Sequence, residues 1–103
     1  MKIALTAQGQ DAGSQVDPRF GRAVYFIVID PDTGQLTAHS NELNLNAVQG
    51  AGIQAARAVA QLGVGALLTG NVGPKAFAAL QAAGIQVYIG ASGTVTEGIQ
   101  QWK

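Results

Sequence analysis

The chain has 103 residues, 48% of them hydrophobic and 12% charged, a composition that fills one packed core and is too apolar for a disordered chain. Six basic residues balance six acidic ones, so the cationic surplus behind general nucleic-acid or membrane-surface binding is missing. There is no cysteine, which removes disulfides, thiolate catalysis and cysteine-held metal clusters.

Residues 2–7 predict a short apolar strand with no basic-then-apolar leader pattern. No apolar run reaches the roughly 20 residues that span a bilayer, so the expected setting is the cytoplasm. A polar, glycine-containing loop follows over 8–21. Residues 24–29 are β-branched and aromatic without interruption, as in a strand covered on both faces. Pro31-Asp32-Thr33-Gly34 is a turn, and 35–41 alternate weakly, as an antiparallel edge strand does.

The period then changes. Ile53, Ala56, Val59, Ala60 and Gly63 share one helical face, opposite Gln54, Arg57 and Gln61, and Gly63 suits the helix stop. Residues 64–69 predict a buried strand. Pro74 fits the first turn of a second helix whose Phe77 and Leu80 are expected to face inward, with Gly84 ending it. Residues 85–89 give the last strand, and Thr94-Val95-Thr96-Glu97 is a capping box for a terminal helix. The order β-β-β-α-β-α-β-α predicts a single α/β domain over residues 1–103. Its mixed five-stranded sheet carries helices on both faces, with strand two opposed to the other four.

That topology gathers the loop after strand one, the start of strand two, and all three helix starts at one sheet edge. Open α/β sheets place ligands at such an edge, and helix starts offer unpaired N–H groups with partial positive charge. Gly50, Gly52, Gly70, Gly73, Gly90 and Gly93 would admit a ligand close to the backbone, with Thr94 beside the last of them. Arg19 and Arg22 add full charges with fork geometry for oxyanions. Each feature also has a plainer explanation. The glycine loops can be tight turns, Arg22 can pair with Asp17 or Asp11, and Lys75 can be a solvated face residue.

Other motifs carry less. Gly50-Ala51-Gly52-Ile53-Gln54-Ala55 matches the dinucleotide fingerprint G-x-G-x-x-A, but follows no strand directly and has no acid about twenty positions on. Residues 70–75 lack the Gly-Lys-Ser/Thr ending of a phosphate loop. His39, the single histidine, sits on the edge strand with Gln35, Thr37 and Asn41, as a solvated side chain does. The carboxylates are scattered, so neither a protein-ligated metal centre nor a Ser–His–acid set can be assembled. No catalytic residue is expected.

Phe20-Gly21-Arg22-Ala23 before an apolar strand, Gly50-Ala51-Gly52-Ile53-Gln54-Ala55-Ala56, Thr69-Gly70-Asn71-Val72-Gly73-Pro74 and Ala83-Gly84-Ile85-Gln86-Val87-Tyr88 resemble the dinitrogenase iron–molybdenum cofactor biosynthesis family. These are nitrogenase accessory proteins, similar to NifX and the NifB C-terminal region, and their relatives in organisms without nitrogenase. The resemblance runs over nearly the whole chain in the right order. It implies a three-layer ribonuclease H-like fold and non-catalytic binding or carriage of an anionic metal–sulfur cofactor or precursor of iron–molybdenum type. Some members hold a molybdenum–copper sulfide cluster non-covalently. No organic cofactor is implied. Arg22, Gly50, Gly52, Asn71 and Gly73 match the family pattern and carry over as binding residues. Arg19 stands where many members have a histidine, and Leu45-Asn46-Ala47-Val48-Gln49 where cysteine or histidine is frequent. The expected partners are the cluster or its donor or acceptor protein, with no nucleic acid or membrane, and the expected state is a monomer or weak homodimer. Two alternatives stand beside this: a regulatory or interaction module pairing through a hairpin edge, and a hydrolase of phosphate esters or nucleic acid using Asp11 and Asp17.

Overall fold

The structure, a computed structural model, describes residues 1–41 and 51–102. The candidate Gly50 and the loop positions 45–49 lie outside those residues. Five strands and three helices alternate as β1 (Ile3–Ala7), β2 (Tyr25–Ile29), β3 (Leu36–Ser40), α1 (Ala51–Gln61), β4 (Ala66–Leu68), α2 (Pro74–Ala82), β5 (Gln86–Tyr88) and α3 (Val95–Trp102).

The first hairpin follows from its turn chemistry. Gly34 takes φ 77°, a left-handed value that glycine adopts without strain, and its N–H reaches the Asp30 carbonyl at 2.7 Å. The Asp30 carboxylate accepts the Asp32 N–H at 2.9 Å and fixes the turn that returns the chain as β3. β2 pairs antiparallel with both β1 and β3, in registers such as Leu5 with Ile27 and Ile27 with Ala38. β1 pairs parallel with β4, and β4 with β5, giving the order β3-β2-β1-β4-β5. The expected mixed five-stranded sheet is therefore present, with β2 opposed to β1, β4 and β5.

β1 lies in the centre and every one of its residues is buried. Its alternation assigns the two faces. Ala4 joins Phe26, Val28 and Leu67 beneath Ala55, Ala56 and Val59 of α1 and Ala76 and Leu80 of α2. Ile3 and Leu5 join Ile27, Ala66 and Leu68 against Val95 and Ile99 of α3. Helices thus cover both faces in three layers. Each fully buried Leu, Ile or Phe contributes about 1.5–3 kcal/mol of transfer free energy to these two cores.

Two expected core positions are placed otherwise. Ala60 is exposed, because α1 turns Gly52, Ala55 and Val59 toward its neighbours. Phe77 is 37% exposed, whereas Ala76 and Leu80 are buried. The cause is close packing of α1 on α2 through small residues: a methyl on Gly52 would lie 3.3 Å from the Ala76 Cβ. That contact fixes the rotation of α2 and leaves Phe77 one residue step, about 100°, around the helix.

Candidate functional site

After β1 the chain crosses the sheet edge and is tied down at Asp17. The Asp17 N–H donates to the Thr6 carbonyl at 2.9 Å, and the Thr6 hydroxyl donates to the Asp17 carbonyl at 2.7 Å. Thr6 Oγ1 also lies 2.8 Å from Thr69 Oγ1, joining the ends of β1 and β4. Asp17 is 1% exposed, and its Oδ1 accepts the Arg19 N–H at 2.9 Å and approaches Nε at 3.4 Å. This turn holds the Arg19 backbone while 67% of its side chain stays exposed at the rim.

The next residues lie against the loop after β4. Pro18 packs directly on Gly70, where a Cβ would come within 2.5 Å of Pro18 Cα. Arg19 bridges to Asn71 in parallel fashion, and the Phe20 N–H donates to the Asn71 carbonyl at 3.2 Å. Asn71 turns its own Oδ1 back onto the Val72 N–H at 2.9 Å. Gly73 then enters α2 in extended conformation without a side-chain cap, followed by Pro74 in the first turn. Among the described residues, the Lys75 and Ala76 N–H groups find no acceptor, as expected for an uncapped helix start.

These segments enclose a groove of about 1130 Å³, lined by residues 18–21, 52–53 and 71–76. Arg19 and Lys75 bring cations to it, and the first turn of α2 contains no acidic residue. Ile53, Val72, Pro18 and Pro74 supply apolar wall. A positive helix end with two cations, and no carboxylate among the described residues lining the groove, attracts anions.

The start of α3 is closed by contrast. Thr94 Oγ1 accepts the Glu97 N–H at 3.2 Å, and Glu97 Oε1 accepts the Thr94 N–H at 2.9 Å, as the capping box predicts. The Ser14 carbonyl takes the Val95 N–H at 2.9 Å, and the Ala12 carbonyl takes both the N–H and the hydroxyl of Thr96 at 3.1 Å. Hydrogen bonds from the Thr94 backbone and then its side chain hold the Glu97 carboxyl below its usual value of 4.5. Gly93 has φ 80°, gives its carbonyl to the Val16 N–H at 2.8 Å, and a Cβ there would strike Glu97.

Of the residues expected at the site, Arg19, Gly52, Asn71 and Gly73 line the groove together. Gly70 lies beside it as the point of closest backbone approach to Pro18, and Gly90 donates its N–H to the Gly70 carbonyl at 3.0 Å. Arg22 is exposed and is not among the groove-lining residues. Gly93 and Thr94 spend their polar groups inside the α3 cap. Asp17 pairs with Arg19, while Asp11 braces its loop through the Gly13 N–H and the Ser14 hydroxyl. His39 lies 3.1 Å from Thr37 Oγ1 on β3. Sequence reasoning read Lys75 as a solvated face residue and Ile53 as part of a helix face, and gave Val72 no role of its own. A lysine in a first helical turn without any acid is a signal for the first; the other two depend on the inter-helix packing. Among the described residues, no group of three or more His, Cys, Asp or Glu side chains can hold a metal ion. No helix there is long and apolar enough to cross a membrane.

Fold and groove together define a class: a small three-layer α/β protein whose mixed sheet carries, at one edge, a cationic groove over an uncapped helix start. The dinitrogenase iron–molybdenum cofactor family matches residues 1–103, and the chain belongs to that family. Its structure superposes with a TM-score of 0.96 on the apo form of the orange protein from Desulfovibrio gigas, 47% identical, covering 98% of this chain and 85% of that one. A putative NifB protein from Thermotoga superposes with a TM-score of 0.84 at 36% identity, again covering 98% and 85%. An uncharacterized protein of Methanocaldococcus jannaschii is 32% identical over 90 residues, which span 85% of this chain and 73% of that protein.

Proposed function

We propose that this protein is a non-catalytic carrier for an anionic metal–sulfur cofactor or precursor of iron–molybdenum type, held non-covalently in the groove. The observation that carries this reading is the uncapped start of α2, open to a groove between Arg19 and Lys75, in a chain of the iron–molybdenum cofactor family. Similarity to a protein solved in an apo form adds support, since an apo form implies a ligand-bearing one.

The chemistry of the donors fits such cargo. The groove offers main-chain N–H groups, a guanidinium and an ammonium, with neither thiolate nor imidazole among its lining residues. A bare metal ion finds no ligands in that set. A cluster that brings its own sulfide shell needs none, and its negative charge is met by the N–H groups and cations. Arg19, Lys75, Gly73 and the start of α2 are the residues assigned to this contact, with Gly52 and Asn71 shaping it. The ribonuclease H-like architecture implied by the family belongs to the same reading, supported by the order β3-β2-β1-β4-β5 with β2 opposed to its neighbours.

The test is uptake of tetrathiomolybdate, with or without copper(I), by the purified apoprotein, followed by visible absorbance and elemental analysis after gel filtration. Metal and sulfide co-eluting in fixed ratio with the wild type, and reduced with Arg19→Ala plus Lys75→Ala, are expected. Elution of the protein free of metal under all loading conditions overturns the reading.

A further inference from the structure

The groove is more than a cationic rim. Ile53 lies one residue step around α1 from the inward-facing Gly52 and is half-buried; among the described residues it joins neither core cluster and lines the groove. Val72 is half-buried, packs against the core beneath α1 and α2, and also lines this space, with Pro18 and Pro74 among the other lining residues. The polar donors among the lining residues are Arg19, Lys75 and the start of α2. The Asn71 side chain is turned back on its own loop by its bond to the Val72 N–H.

An oxyanion bound by those donors would also give up water against apolar side chains that return no hydrogen bonds, and the cost of that exchange is uncompensated. A sulfide-coated anion of equal charge is larger, more polarisable and more weakly hydrated. It loses less on leaving water and gains dispersion contact with the aliphatic carbons. At about 1130 Å³ the groove also exceeds a single tetrahedral anion, so a larger occupant can meet the cationic end and the apolar wall together. Resting on the carrier reading above, we propose that Ile53 and Val72 are specificity-determining residues, an apolar wall that selects sulfide-rich anions over oxyanions of the same shape and charge.

The experiment compares tetrathiomolybdate with molybdate, both tetrahedral dianions, by equilibrium dialysis with elemental analysis. Wild type, Ile53→Asn and Val72→Thr are each checked by thermal melting. Transfer energetics give about tenfold in affinity for each apolar side chain contacted, so the wild type should favour the thioanion by about a hundredfold. Each variant should lower that ratio about tenfold by weakening the thioanion while leaving molybdate unchanged or tighter. Val72→Thr is nearly isosteric and keeps the test valid should Ile53→Asn fold poorly. Equal binding of both anions by the wild type, or an equal loss of both in the variants, overturns the selectivity and leaves the carrier reading standing. Binding of neither anion overturns the selectivity, and the carrier reading falls with it when loading with copper(I) present also leaves the protein free of metal.

Discussion

Gly70 and Gly73 sit three residues apart in one loop, and the structure gives them opposite duties. At Gly70 an added Cβ would meet Pro18 Cα at 2.5 Å, Pro18 Cβ at 2.9 Å and the Pro18 carbonyl oxygen at 2.9 Å. Two of those atoms are backbone, and Asp17 and Phe20 on either side are pinned by hydrogen bonds to Thr6 and Asn71. The clash cannot be relieved by a rotamer change. Overpacking of this kind costs about 1–3 kcal/mol, and the stiffer unfolded chain of an alanine variant returns about 0.4–1 kcal/mol. Gly70→Ala should therefore destabilise by about 1.3 kcal/mol, lowering the melting temperature by roughly 5–10 °C for a domain of this size. At Gly73 nothing among the described residues lies within 4 Å of the added carbon and φ is −71°, so Gly73→Ala should be near neutral, the stiffer unfolded chain offsetting alanine's weakness as an N-cap. The new methyl nevertheless lies at the mouth of α2, and cluster uptake should fall while stability holds. Urea titration measures the first property and metal co-elution the second. A Gly70→Ala midpoint equal to wild type would refute the assignment of that glycine to backbone packing. Unchanged uptake by Gly73→Ala would refute close approach of the cargo to the helix start.

Arg19→Ala and Lys75→Ala should each weaken anion binding by about three- to tenfold at low salt, with the difference shrinking as ionic strength rises, which dialysis at two salt concentrations reads directly. Asp17→Ala strips a buried acceptor from the Arg19 N–H and should cost about 1–3 kcal/mol in urea unfolding, whereas Asp17→Asn, which keeps an oxygen, should cost less. Thr94→Ala removes the α3 cap and should cost about 1 kcal/mol by the same assay. Glu97 has its folded-state pKa below the ordinary 4.5, so its contribution to stability is complete above that value and is lost as pH falls through the lower folded pKa. Urea midpoints across that acid range should fall for wild type and lose that part of the slope in Glu97→Gln.

Much of this fold was legible because its signals are local. Pro31 to Gly34, Gly63, Gly84 and the Thr94–Glu97 pair each satisfy a nearby backbone requirement, so turns and helix ends can be read from a few adjacent residues. The relative strand directions and the placing of helices on the faces followed from the handedness of crossovers. Phe77 escaped because helix rotation is set across elements, by Gly52 against Ala76, and no local pattern reports it. The site was legible only in part for the same reason. Arg19, Asn71 and Gly73 reach the groove, but Arg22, three residues after Arg19, does not line it, because the turn at Asp17 fixes where Arg19 emerges.

The two described helix starts show why glycine-rich strand-to-helix loops cannot be equated with binding sites. Gly70 to Gly73 and Gly90 to Gly93 are near copies in sequence, each following a strand and preceding a helix. At α3 the carboxylate of Glu97 neutralises the positive helix end, and the carbonyls of Ala12 and Ser14 consume its N–H groups. At α2 Phe77 stands where α3 has Glu97, and Pro74 and Lys75 stand where it has Thr94 and Val95: proline has no N–H to satisfy, and lysine adds positive charge where a helix dipole already disfavours it. A lysine in that position loses stability unless an anion joins it. Local conflict of this kind, uncompensated within the described fold, is what a binding site leaves in a sequence, and it separates the two loops where their glycines do not.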